Sequence, residues 1–293
     1  MCAQVPSYAR NGVMIWHDFD AAVIDRELGF ARSLFNFSCV RVFTSVAVWR
    51  HDSTAFMENW ETFLQLVGKH KMTAMVVAFD RDFPQCTCEW QGSACSGGGN
   101  GSCVTPDDAF ISSGRYKNSS WCPSPGPAIT QLDQAGYVQN HLDKYVSAVF
   151  GGKYADDPRI HAIEVINEPD EADLAPFIDW AATALSNNTK RPLALELTYP
   201  GGRGAKVAQQ LAQIHSFHNY GGNLYAALSA AKTTAKALGK LGVMTTECKT
   251  PTIMSLASSF HLLQSQRTQR TQRRCSGCFR RAPRHAALLS AFL

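Results

Sequence analysis

The sequence predicts an α/β fold of the (β/α)8 TIM barrel class, and three observations predict it. Short apolar runs alternate with longer amphipathic ones along most of the chain. Seven of the short runs have strand character, and 293 residues with 45% hydrophobic content suffice for one barrel with a full core. The alternation matters most, because parallel strands are joined by helical crossovers and produce this rhythm.

The first strand is expected at Val13–His17, and Ile24, Leu28, Ala31 and Phe35 then recur at helical spacing. Val40–Thr44 reads as the second strand, followed by a helical face of Phe56, Trp60, Phe63 and Val67. Ala74–Phe79 is the third strand. From about Pro84 to Thr130 the rhythm breaks into Gly, Ser, Pro and Cys, with Cys86, Cys88, Cys95, Cys103 and Cys122 crowded together. This 84–130 insertion is expected as a long Cys-rich loop at the C-terminal face of the barrel, ordered by disulfides whose connectivity the sequence leaves open. Tyr137, Leu142, Tyr145 and Val149 mark the next helix, and Ala162–Asn167, Leu193–Tyr199 and Ile214–Asn219 the fourth to sixth strands. Leu224, Leu228, Ala231, Ala235 and Leu238 give another helical face before the seventh strand, Val243–Glu247. After Leu263 no eighth strand and helix can be read, so the expectation is an incomplete barrel over 1–263 with a disordered Arg-rich tail over 264–293.

The formal charge of +4 is concentrated in that tail, where Arg267, Arg270, Arg273, Arg274, Arg280, Arg281 and Arg284 occur with no acidic residue. The body is slightly acidic, which argues against nucleic acid or a membrane surface as partner. No stretch is apolar enough to span a bilayer. The opening MCAQVPSYAR lacks a signal peptide, but the cysteine density and the sequons at Asn100, Asn118 and Asn187 suggest an oxidising compartment. A secreted monomer whose leader is not in this chain is expected. Cys275 and Cys278 have metal-like spacing without a second ligand pair, so no metal or cofactor is implied.

The candidate chemistry lies at strand ends. In Ile163–Pro169 (IEVINEP) an apolar strand runs into Asn167 and Glu168, and Pro169 stops the ladder there. Glu247 ends the seventh strand in GVMTTECKT. As the fourth and seventh strands of one barrel, these would bring two carboxylates together across its mouth, the arrangement glycoside cleavage requires. His218 and Tyr220, in SFHNY, end the sixth strand two residues apart and point to one side. Arg41, between β-branched neighbours, needs a buried carboxylate as partner. Glu164 shares parity with Glu168 but lies deeper, where a structural pairing is expected; Glu196 is a further strand carboxylate without an assigned role. Trp16 and Trp49 are candidate sugar platforms near strand ends, ahead of Trp121 and Tyr199.

These motifs resemble glycoside hydrolase clan A, particularly its family-5-like cellulases and mannanases: Asn-Glu-Pro on strand four, His-x-Tyr on strand six and a terminal Glu on strand seven. The resemblance runs from about Asn11 to Leu263. It implies a retaining hydrolase of β-1,4-linked glucan or mannan. Glu168 would be the acid/base, Glu247 the nucleophile, and Asn167 would hold the sugar 2-hydroxyl. Tyr220 and Arg41 would support Glu247, and His218 would line the subsite. This cycle needs Glu168 protonated near neutrality while Glu247 stays ionised.

Two departures stand out. Many relatives end strand three with a histidine, where this chain has Asp80, Arg81 and Asp82. Relatives also end strand eight with a tryptophan, and no such strand is legible here. A non-catalytic carbohydrate-binding relative or an inactive fragment is therefore a competing reading, and a transglycosylase using the same residues is a third.

Overall fold

The computed structural model describes residues 2–3, 6–81, 108–118, 122, 124–126, 141–170, 172–220 and 223–248. Within them lie seven strands in one sheet, in sequential order: β1 (Cys2–Ala3), β2 (Cys39–Phe43), β3 (Thr73–Val77), β4 (Ile160–Glu164), β5 (Leu193–Glu196), β6 (Ile214–Asn219) and β7 (Gly242–Cys248). Every neighbouring pair is parallel. The sheet curls until β1 and β7 come within 8 Å of each other, Cα to Cα. The architecture is that of an incomplete (β/α)8 barrel among the described residues. No described helix is long and apolar enough to cross a membrane.

The helices begin where the sequence supplies caps. Asn11 accepts from the Val13 and Met14 amides at the start of α1 (Gly12–His17), and Asp20 accepts from Ala22 and Val23 at α2 (Ala21–Phe35). Asn36, at φ 55°, ends α2 in the left-handed conformation that asparagine tolerates. Ser45 caps α3 (Val46–His51), and Asp52 caps α4 (Ser53–Lys69). A short α5 (Asp108–Ser112) precedes α6 (Asp143–Phe150). Pro176 opens α7 (Ala175–Asn188), which is followed by α8 (Pro200–Gly204), α9 (Lys206–Leu211) and the Asn223-capped α10 (Leu224–Ala237).

One expected strand is a helix. Val13–His17 forms α1, because the Asn11 side chain satisfies its first amides and because Val13, Ile15 and Trp16 are all buried. A short helix buried nearly all round has the same apolar run as a strand. The first strand is instead Cys2–Ala3, paired with Val40 and Arg41. The residues of the Cys-rich insertion, apart from the described parts of 108–126, and the whole 264–293 tail lie outside the described residues.

Two apolar layers result. The larger lies between sheet and helices and contains Trp16, Phe56, Trp60, Phe63, Tyr145, Ile163 and Ile178. The smaller fills the barrel interior with Met75, Ala162 and Ala194, flanked by Cys39, Ile214 and Met244. Side chains two residues further along a strand share its face. Cys39 is thus followed inward by Arg41, Ala162 by Glu164, Ala194 by Glu196, and Ile214 by Ser216 and His218. The polar site sits directly above the inner apolar layer, toward the C-terminal strand ends.

Candidate active site

Strand β7 departs from simple alternation. Its register with β6 slips between Phe217 and His218, so Thr245 faces Phe217 while Glu247 faces His218. Thr246 is the extra residue. This bulge lets Met244 and Glu247, three residues apart, both point into the barrel, and such re-aiming is the usual effect of a bulge beside a functional site.

Arg41 is fully buried and organises the floor. Its Nε donates to Glu164 Oε2 at 2.7 Å, and its two terminal nitrogens donate to Glu247 Oε1 at 2.6 Å and Asn167 Oδ1 at 2.7 Å. One guanidinium so joins β2, β4 and β7. Its donor fork suits two carboxylates at once, and burial without such partners would be prohibitive. Asn167 then donates from Nδ2 to Asp80 Oδ1 at 3.2 Å. Asp80 is itself buried and bridges to both Asn167 and Pro125.

Glu168 projects from the end of the segment after β4 with φ 41°, a left-handed conformation for a residue with a side chain. Such a conformation costs a residue with a side chain about 1–2 kcal/mol. The Glu168 Oε1 atom lies 2.6 Å from His218 Nδ1 and accepts from the Tyr220 hydroxyl at 3.2 Å. The same single hydroxyl proton is shared with Glu247 Oε2, so one phenol spans both glutamates. One oxygen of Glu168 and one of Glu247 lie within 4.8 Å of each other, with a His218 ring nitrogen inside the same distance.

The two glutamates have different surroundings. Burial pushes Glu247 up, but the Arg41 and His218 charges and the bonds from Tyr220 and Arg41 outweigh it and hold the carboxyl below its ordinary value. Tyr220 is raised, by burial first and then by the bond to Glu247 and its charge, and so remains a donor. Burial lowers His218, but the bond to Glu168 and the charges of Glu247 and Glu196 leave it raised overall.

Glu168, His218 and Glu247 are close enough together to reach one cation. Several of their donor atoms are already engaged, however: Glu168 Oε1 with His218 Nδ1, and both Glu247 oxygens with Arg41 and Tyr220. A guanidinium 2.6 Å from Glu247 would also repel a cation.

The structure thus brings together Glu168, Glu247, Asn167, His218, Tyr220 and Arg41. It does not bring the tryptophans to them. Trp16 is 1% exposed, donates from its indole to Phe43 O, and is enclosed by Phe19, Phe56, Trp60 and Phe63. It cannot stack on a ligand, because α1 turns it into the outer core. Trp49 packs on Tyr145 and lines a groove of about 850 Å³ between α4 and α6, on the helical flank. Trp121 lies outside the described residues. Glu164 is the structural partner of Arg41, as its depth implies, and Asp80, at the end of the third strand, accepts from Asn167.

The fold is shared with an endo-β-1,4-mannanase from Thermotoga petrophila, with a TM-score of 0.50, 14% identity, and coverage of 78% of this chain and 58% of that one. It is shared also with an endo-β-1,4-mannanase from Rhizomucor miehei, with a TM-score of 0.51, 13% identity, and coverage of 87% and 80%. The chain therefore spans less than two thirds of the T. petrophila protein. At such identities the likeness is one of fold. Neither a protein-family model nor a curated protein sequence matches the chain.

Proposed function

We propose that this chain is a retaining glycoside hydrolase of β-1,4-linked mannan or glucan, with Glu247 as nucleophile and Glu168 as acid/base. The observation that carries this reading is the carboxyl pair: one glutamate after β4 and one on β7, an oxygen of each within 4.8 Å, joined through one tyrosine hydroxyl. Retaining enzymes hold their carboxyl groups ~5–5.5 Å apart, whereas inverting ones need ~6.5–9.5 Å to admit a water. Mannan is the first substrate to try, since both proteins of shared fold are β-1,4-mannanases.

In the first step Glu247 attacks the anomeric carbon as the glycosidic bond breaks, and Glu168 gives its proton to the departing oxygen. In the second, water attacks the same carbon, Glu168 takes its proton, and the bond to Glu247 breaks with configuration retained. Arg41 and Tyr220 keep Glu247 ionised and aimed. Asn167, pinned by Arg41 and Asp80, is placed beside the acid/base to bind the 2-hydroxyl.

The test is release of reducing ends from β-1,4-mannan and β-1,4-glucan by the full chain, with Glu168→Gln and Glu247→Gln alongside. Turnover lost at least 10³-fold in both variants, whose folds are unchanged, is expected. Undiminished turnover in either removes the assignment, and sugar binding without turnover in the unsubstituted chain favours a non-catalytic role.

A further inference from the structure

Glu196 ends β5 on the barrel interior, and nothing in the double-displacement scheme uses it. Its side chain is 5% exposed, as buried as that of His218 at 2%. Oε1 accepts from the Thr198 hydroxyl at 3.3 Å and the His218 amide at 3.4 Å. Oε2 is 4.0 Å from His218 Nε2, and neither of these two atoms has a hydrogen-bond partner among the described residues. The opposite ring nitrogen, Nδ1, holds Glu168 at 2.6 Å. One imidazole therefore lies between the proposed acid/base and a second buried carboxyl.

We propose that Glu196 is a positioning residue for Glu168, acting through His218 by setting which ring nitrogens carry protons. The catalytic meaning of this inference rests on the hydrolase reading; the coupling itself does not. With a neutral ring the Glu168–His218 contact has two forms. Either an Nδ1–H donates to an ionised Glu168, or a protonated Glu168 donates to a bare Nδ1. In the second form the ring proton sits on Nε2, which lies 4.0 Å from Glu196 Oε2 and 3.8 Å from Glu247 Oε1. An ionised Glu196 attracts that Nε2–H and so supports a protonated Glu168. A protonated Glu196 can instead donate to a bare Nε2, which supports Nδ1–H and an ionised Glu168. While the ring is neutral the two carboxyls are therefore coupled in opposite senses through it, whereas the imidazolium donates toward both.

The electrostatics agree with the geometry. Facing Glu196 are His218 from β6, Glu164 from β4 and Tyr199 just beyond its own strand; Glu168, Glu247 and Arg41 face the imidazole. Burial, followed by the Glu164 charge, pushes Glu196 up to about 7 despite the favourable His218 charge. Arg41 is committed to Glu164 and Glu247, whereas His218 Nε2 lies 4.0 Å from Glu196 Oε2. A carboxyl that changes charge near neutrality beside the partner of an acid/base is placed to shape the pH dependence of the reaction.

The test is the titration of the His218 ring by nuclear magnetic resonance in the full chain, with kcat against pH measured in parallel. In the unsubstituted protein the His218 signals should move in two steps, one of them at about pH 7, and in Glu196→Gln that step should vanish. A fall in kcat of about tenfold at pH 7 should accompany this, with KM within about twofold and the inflection near neutrality lost; positioned proton-transfer groups as a whole supply ~10²–10⁴. A single-step His218 titration in the unsubstituted protein overturns the proposal even if the variant does not fold. So does a Glu196→Gln titration that superimposes on the original. Because the ring titration needs no substrate, a chain that turns over no β-glycan but shows the two-step behaviour sinks the hydrolase reading and leaves the coupling standing.

Discussion

Replacing Arg41 by methionine tests the physical basis of the site. The guanidinium is 0% exposed, and it bonds a Glu164 side chain that is 1% exposed and a Glu247 side chain that is 25% exposed. Methionine fills much of the volume but leaves two neighbouring carboxylates without their cation. Removing one partner from a buried ion pair costs about 3–5 kcal/mol, a large part of the ~5–15 kcal/mol by which domains are usually stable. The loss should depend on pH. In the unsubstituted protein Glu247 is held below its ordinary value, so its contribution is present above the unfolded carboxylate pKa of ~4.3 and fades as pH falls through the folded value. In Arg41→Met the largest influence opposing burial at Glu247 is gone, so that carboxyl moves toward its protonated form and the deficit shrinks on acidification. Urea unfolding followed by tryptophan fluorescence at pH 7 and near pH 4 measures both. Adding Glu164→Gln to Arg41→Met should recover 1 kcal/mol or more, about the size of one buried charge penalty. A deficit below about 1 kcal/mol at pH 7, or the same deficit at both pH values, refutes the view that Arg41 neutralises the floor of the site.

Three further outcomes are expected. Tyr220→Phe should lower kcat about 10- to 100-fold with little change in urea midpoint; because the lost hydroxyl helps depress Glu247, the acid limb of kcat/KM should move to higher pH, and an unmoved limb counts against the Tyr220–Glu247 bond. Glu168→Gly should be more stable than Glu168→Ala by about 1 kcal/mol in thermal unfolding, since both delete the side chain but only glycine relieves φ 41°; equal stability argues that the position is unstrained. Gly202→Ala should destabilise by about 1–3 kcal/mol, because its Cβ would stand 2.0 Å from the Glu196 carbonyl oxygen, and an unchanged unfolding curve contradicts the close approach of α8 to β5.

The middle of the fold was legible because its strands and helices each carry their own period. β2 through β7 lie where apolar runs end in polar residues, and Phe56, Trp60, Phe63 and Val67 line the buried face of α4 as their spacing implies. The start was not. β1 has two residues, too few to form a pattern, and α1 is apolar on nearly all sides, so the Asn11 cap was its one helical signal. The same misreading made Trp16 a candidate sugar platform. The site residues Arg41, Asn167, Glu168, His218, Tyr220 and Glu247 were readable as polar groups at strand ends. The bulge at Thr246 was not, because strict alternation from Met244 would aim Thr246, not Glu247, into the barrel. Glu196 offered no signal beyond its position; its meaning comes from the 4.0 Å approach to His218 across two strands.

The most direct measurement is covalent trapping. A 2-deoxy-2-fluoro-β-mannoside or β-glucoside with a good leaving group slows breakdown of a glycosyl-enzyme more than its formation, so the intermediate accumulates. Peptide mass spectrometry of the treated protein should then find one added fluoroglycosyl group on the peptide containing Glu247, absent from Glu247→Gln. Turnover of the parent β-glycan with that peptide unmodified, or with the sugar attached elsewhere, would contradict the assignment of Glu247 as nucleophile.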